Sequence, residues 1–336
     1  MKGTNVCIWK LEKGFEEIIP LLSIDYSEPV QELAAFDLPE RDKRLERKWL
    51  KADTLGYVAQ KYEIDNSQIE YFKAVAHMET HSVPRYGIII DGIPLPKDAR
   101  VNPINSTVIF ADVAHSIYAI IIGSKSNEGR LRSKLMKTSS KRSESKWGEV
   151  IFRDIPQYTF DKNFYYWILR NKGLALTIDE KTMYLEDVRG FRSDAERKVH
   201  SYSGEGSNIS EEIPLKSLVS MDERLVSLYI MIRYNNINYS FSLDYDGRIS
   251  LYKPECGEHA TETPRIIETE SLILSIYFQI IPFLIQKYNV AKEEGWDGIQ
   301  TQFKKELSID VIKKLMLQNG LSVNELMDGL DLVVNN

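Results

Sequence analysis

Cysteine is almost missing from this chain: 336 residues hold only Cys7 and Cys256. Two thiols so far apart cannot build a disulfide framework, and a reducing compartment is the expected setting. Histidine is nearly as scarce, at five residues, so a site of imidazole and thiol ligands has few possible members. Long hydrophobic runs are lacking too. The most apolar stretch, residues 271–285, is broken by Gln279 and Pro282. It falls short of the roughly 18–20 residues a membrane span needs, so a buried helix is expected. Near the amino terminus Val6 and Ile8 give way to Lys10 and Glu12, which is not the apolar core of a signal peptide. The expectation is a cytoplasmic protein with no membrane attachment. No internal repeat at a solenoid period is visible.

The hydrophobic share of 43% and charged share of 27% are those of an ordinary globular protein, large enough for two domains. What stands out is the placement of charge. Between Gly123 and Gly148 lie Lys125, Arg130, Arg132, Lys134, Lys137, Lys141, Arg142 and Lys146, against only Glu128 and Glu144. Eight cations less two acids give +6, in a chain whose formal net charge is -6, so everything else sums to -12. Charge segregated in this way marks where a polyanion or an acidic partner lands. A pI near 5.6 argues against a surface coated by nucleic acid throughout, but not against a local contact.

Turn residues and hydrophobic periods predict an α+β fold: an N-terminal mixed α/β region, a central antiparallel β-meander and a C-terminal helical bundle. Residues 40–62 are read as a helix because Leu45, Trp49, Leu55, Val58 and Ala59 approximate a 3.6 period. A shorter helix is read over 67–77 with Asp65 and Asn66 as caps, and strands over 86–90, 108–113 and 117–122. Ser124 is the expected cap of a helix through Met136, and residues 137–146 read as a Ser/Lys-rich linker. Further on, a strand is read over 147–155, a helix over 161–170 and an exposed loop over 189–212. Strands meet near Asn235-Asn236, and helices are read over 268–289, 298–305, 309–318 and 323–330. The implied domains are 1–136 (α+β), 147–267 (mostly β) and 268–336 (helical).

Several motifs carry chemistry. On a helix begun at Ser124, Arg130 and Lys134 share a face and Lys137 extends it, with interleaved serines as neutral phosphate donors. His77, Glu79 and His81 share one face of a strand, and the two imidazoles share one face of a helix, so either geometry offers nitrogens to one metal. Asp112 and His115 are the candidate further ligands. The spacing is not the His-Glu-x-x-His of metalloproteases. Cys256 and His259 lack a second pair for zinc. Gly204-x-Gly206-Ser207 lacks the Gly-Lys-Ser/Thr of a P-loop and the third glycine of a dinucleotide fingerprint. At the carboxyl end Ser322 and Glu325 form a capping-box pattern in a helix-turn-helix outline, but Glu325, Asp328 and Asp331 would repel phosphate. Phe160, Phe164, Tyr165, Tyr166 and Trp167 read as a core helix face more readily than as a base-stacking platform.

These observations lead to a non-catalytic, nucleic-acid-associated protein acting in an oligomer or complex. It touches phosphates through the basic arm and needs no cofactor. One alternative is a metal-dependent, nuclease-like hydrolase in which His77, Glu79 and His81 with Asp112 hold a divalent metal. Another is a protein–protein adaptor whose arm meets an acidic protein surface. Isoleucine- and asparagine-rich usage points to an AT-rich microbial genome, and from composition a part in a defence-type complex against mobile DNA fits.

Overall fold

In the computed structural model, which describes residues 3–64, 67–138, 145–194, 201–259 and 267–327, strand Thr4–Leu11 (β1) lies within the sheet of the first of two units. That unit comprises Met1–Tyr158, Asp246–Leu251 and Thr269–Ser275. Its further strands are Arg47–Lys51 (β2), Gln60–Ile64 (β3), Ser67–His81 (β4), Val101–Val113 (β5) and Ser116–Ile122 (β6). They pair antiparallel in the order β2-β4-β5-β6-β1, with β3 also on β4 and Ile249–Leu251 on the far side of β1. The expected α+β class holds, with 37% of the described residues helical and 36% in strands.

Two expected helices are strands instead. Residues 67–77 belong to β4, where Phe72, Ala74, Ala76 and Met78 are buried and the intervening residues are less so. Alanine, glutamate, lysine and methionine favour a helix in isolation. Here β2 and β5 supply hydrogen-bonding partners on both edges, and the resulting two-residue period decides the conformation. Residues 40–62 divide into a 3-10 turn (Glu40–Lys43), the short strand Arg44–Leu45, β2 and β3. Leu45, Arg47 and Trp49 are buried alternately, a pattern that the helical reading of Leu45 and Trp49 obscured. The proposed caps Asp65 and Asn66 lie outside the described residues.

The core of this unit gathers Trp9, Trp49, Phe72, Phe110, Ile121, Leu131, Leu135, Met136 and Trp147. Phe110 stacks between Phe72 and Trp147, with ring centroids 5.0 and 6.1 Å away. Three of these core residues, Leu131, Leu135 and Met136, lie within the basic segment and Trp147 directly follows it, so the segment is anchored to the core along its first part and again at its end. Of the expected strand over 147–155, only Val150–Ile151 forms, against β1. Near the end of the unit Gly247 has a φ of 76°. A Cβ there would come within 2.6 Å of Tyr158, so conformation and space both demand glycine.

The second unit comprises Thr159–Tyr245, Tyr252–Glu268 and Ile276–Asn336. Helix Lys162–Arg170 starts where expected: Asp161 caps it by accepting the Phe164 N–H at 2.8 Å. Phe164, Tyr165, Tyr166 and Trp167 are buried, so this aromatic face is core. Strands Leu225–Tyr234 and Ile237–Asp244 form a hairpin turned by Asn235 and Asn236, with φ of 47° and 62°. Residues 189–212, expected as an exposed loop, contain the end of strand Lys181–Asp194 and its partner Ser201–Glu205. Gly204 sits in that pair because a Cβ would approach Phe191 to 2.7 Å; it belongs to sheet packing, not to a phosphate loop.

Two expected C-terminal helices are one, Trp296–Asn319, ended by Gly320 at a φ of 65°. The capping box then forms: Ser322 Oγ accepts the Glu325 N–H at 3.3 Å and Glu325 accepts the Ser322 N–H at 2.8 Å. Asp328 and Asp331 lie outside the described residues. The apolar helical stretch Thr269–Glu293 runs for 25 residues, longer than the sequence suggested and enough to cross a membrane by length and composition. In this fold 56% of its most apolar window is buried, which is how a core helix passes the same test. Pro282 is accommodated because it follows a π turn at Ile276–Ile280.

Candidate functional site

The basic segment begins as the sequence suggests. Ser124 Oγ accepts the Asn127 N–H at 3.3 Å, capping the short helix Lys125–Arg130, which passes into a π turn at Leu131–Leu135. Leu131 and Leu135 face the core, and this turns Lys134 outward. Lys125, Lys134, Lys137 and Lys146 are exposed, and among the described residues none of them takes part in an ion pair. Arg132 is tied down: its guanidinium lies 4.5 Å from the centre of the Phe152 ring. Beyond Met136 the chain returns through Ser145, whose hydroxyl donates to the Met136 carbonyl at 2.9 Å, into buried Trp147. Lys141 and Arg142 lie outside the described residues.

Tertiary structure also changes the charge this segment shows to solvent. Glu128 is buried and paired with Arg248 at 2.8 Å, so one of the two acids counted against the eight cations is already neutralised. Nothing near Glu128 in sequence signals this, because its partner is 120 residues away.

The histidine motif lies on β4 as a strand, so His77, Glu79 and His81 fall on one side of it. His77 and Glu79 come together with Glu46, not with His81: one ligand atom from each lies within 4.8 Å of the others. His77 Nδ1 is 2.8 Å from Asn105 Oδ1; a proton shared there leaves Nε2 as the ring's remaining acceptor. The carboxylates are already engaged. Glu79 accepts the Glu46 N–H at 2.7 Å and pairs with Lys97 at 2.9 Å, and Glu46 pairs with Lys48 at 2.6 Å. The Lys48 hydrogen bond is the largest influence on the Glu46 carboxyl and holds it below the usual range, against the opposing effect of burial. Asp112 cannot join. It stands opposite Glu70, seven residues along β5 from the Asn105 that faces His77. At roughly 3.3 Å per residue that is about 23 Å, and His115 lies in the turn beyond it.

The two sequence motifs meet elsewhere. Glu79 and His81 from the end of β4, and Arg130 and Lys134 from the basic segment, line one cavity of about 510 Å³ together with Arg47 and Glu28. No family model matches the chain, and no curated protein matches it either. The reading of this site therefore rests on its own chemistry.

Arg47 is the residue that sequence reading missed. It alternates with Leu45 and Trp49 in a buried register, and an arginine at such a position is the signal that was available. Its Nη1 lies 2.5 Å from Glu28. Burial would raise the Glu28 carboxyl, but the close Arg47 contact and the charges of Arg47, Lys134 and Lys137 hold it below its ordinary value. The positive field of the basic segment thus reaches into the cavity. The thiols offer no competing chemistry: burial pushes Cys7 up, and pushes Cys256 to about 11.

Proposed function

We propose that this is a non-catalytic, cytoplasmic nucleic-acid-associated protein that contacts phosphates through the basic segment and acts in an oligomer or complex. The observation that carries this reading is the set of exposed lysines at 125, 134, 137 and 146, none of which takes part in an ion pair among the described residues, beside a Glu128 already neutralised by Arg248. Such contacts hold the backbone without reading bases. Nucleic acid should co-purify at low salt and leave on a high-salt wash, seen as a falling 260/280 nm absorbance ratio.

Reversing Lys125, Lys134, Lys137 and Lys146 to Glu tests the reading directly. Oligonucleotide affinity should fall by about 100-fold or more at moderate salt. On duplex, the slope of log K against log salt should flatten by roughly 0.9 for each phosphate that the variant no longer neutralises. The melting temperature should stay nearly unchanged, because these side chains are exposed. A variant that binds normally sinks the proposal. Wild-type protein that binds no oligonucleotide would turn the arm toward an acidic protein surface.

A metal-dependent hydrolase is the second reading, favoured by the Glu46, His77 and Glu79 group. It requires the cation to displace Lys48 and Lys97. About one equivalent of zinc or manganese retained after dialysis, and absent from His77→Ala, would support it. A metal-free protein with unchanged oligonucleotide binding in His77→Ala would end it.

A further inference from the structure

We propose that the cavity at Arg47 receives a terminal phosphate, the phosphomonoester at the end of a nucleic-acid strand. This deepens the phosphate-binding reading and rests on it. Arg47 is 4% exposed, yet among the described residues its Nε has no hydrogen-bond partner, and its Nη1 meets the Glu28 carboxylate only as an ion pair. An unsatisfied buried donor costs about 1–3 kcal/mol, more when charged, and buried donors in native proteins are almost always satisfied. The guanidinium fork offers five N–H groups, and Glu28 meets it at Nη1. Something in the cavity is needed to accept from the rest.

A water would satisfy the Nε–H but would not answer the charge around it. Arg130 and Lys134 line the same cavity, and among the described residues neither takes part in an ion pair. Each of the carboxylates that line it is already engaged. Glu28 is bound to Arg47, Glu79 is held by Lys97 and by the Glu46 N–H, and Glu32 has interactions of its own. The cations left over are Arg130 and Lys134 from the basic segment, and beneath them Arg47, though paired with Glu28, still has an unsatisfied Nε–H. Their complement is a compact anion with several oxygens.

A strand end fits this better than a mid-strand phosphate. A phosphodiester carries one charge and has a sugar on each side, which keeps its oxygens at the level of the surface. A terminal phosphate carries close to two charges and three free oxygens, and it can project to a donor that solvent barely reaches. A volume of about 510 Å³ lies within the range of small-molecule sites and has room for a terminal nucleotide. The exposed lysines of the segment then hold the phosphates that follow.

The test compares one oligonucleotide sequence in three forms: 5′-phosphorylated, 3′-phosphorylated, and hydroxyl at both ends, titrated by fluorescence anisotropy. One phosphorylated form should bind about tenfold tighter than the hydroxyl form, the gain expected of charge-assisted hydrogen bonds. In Arg47→Gln that ratio should fall to near one. In Glu28→Gln, which removes the carboxylate competing for Arg47, it should rise; this second variant covers the case in which Arg47→Gln fails to fold. Equal binding of all three forms by the wild type overturns the inference and leaves the phosphate-binding reading standing. Binding of none overturns that reading, and the inference with it.

Discussion

Replacing Trp147 with Ala should destabilise the first unit by about 3–5 kcal/mol, the range for deleting a large buried aromatic side chain. Trp147 is 1% exposed and packs on Phe110 and Trp49, with ring centroids 6.1 and 5.6 Å away. Neither neighbour can collapse into the space without leaving its own packing, since all three rings belong to one core cluster. The effect reaches the candidate interface as well, because Trp147 follows directly on Lys146 and pins the returning end of the basic segment. Urea unfolding should show the loss in the midpoint, and oligonucleotide affinity should fall less than in the lysine reversal. A loss below about 1 kcal/mol would mean that the segment is not anchored through this ring.

Arg248→Met should cost about 3–5 kcal/mol, the penalty for stranding one partner of a buried ion pair. The side chains of Glu128 and Arg248 are only 9% and 17% exposed, and they meet at 2.8 Å. Asp246 also pairs with Arg248, at 3.3 Å, so the substitution removes the shared counter-charge of two carboxylates. Adding Glu128→Gln should recover much of the stability, because the amide needs no counter-charge. The double-mutant cycle isolates the pair from the packing of the arginine stem. Additive single effects, measured by denaturant unfolding, would show that the pair contributes no coupling. The pair also bears on binding, since it holds the helix from which the basic segment starts and removes a negative charge beside it.

Charge segregation at residues 125–146 was legible because like charges close in sequence stay close in space. The same holds for features settled within a few residues: the Asp161 cap, the Ser322–Glu325 box and the Asn235-Asn236 turn. Each is a hydrogen bond or a dihedral preference that the local chain alone can satisfy. Strand β4 was not legible in the same way. Its alanines, methionine, lysine and glutamates are compatible with a helix, and the choice fell to β2 and β5 pairing along both edges.

The candidate site divides along the same line. Sequence by itself determined that cations gather in one segment, that His77 and Glu79 can share a face, and that the thiols are too few for a framework. Only the tertiary structure decided that Glu46 and not His81 completes the Glu79 group. It also decided that Asp112 stands far away along its strand, and that Arg248 silences Glu128. It alone brought Arg47, Glu79, His81, Arg130 and Lys134 around one cavity. The physical reason is range. Dihedral preferences and caps act over about four residues, whereas desolvation, ion pairing and cavity formation depend on partners that only the packed core brings together.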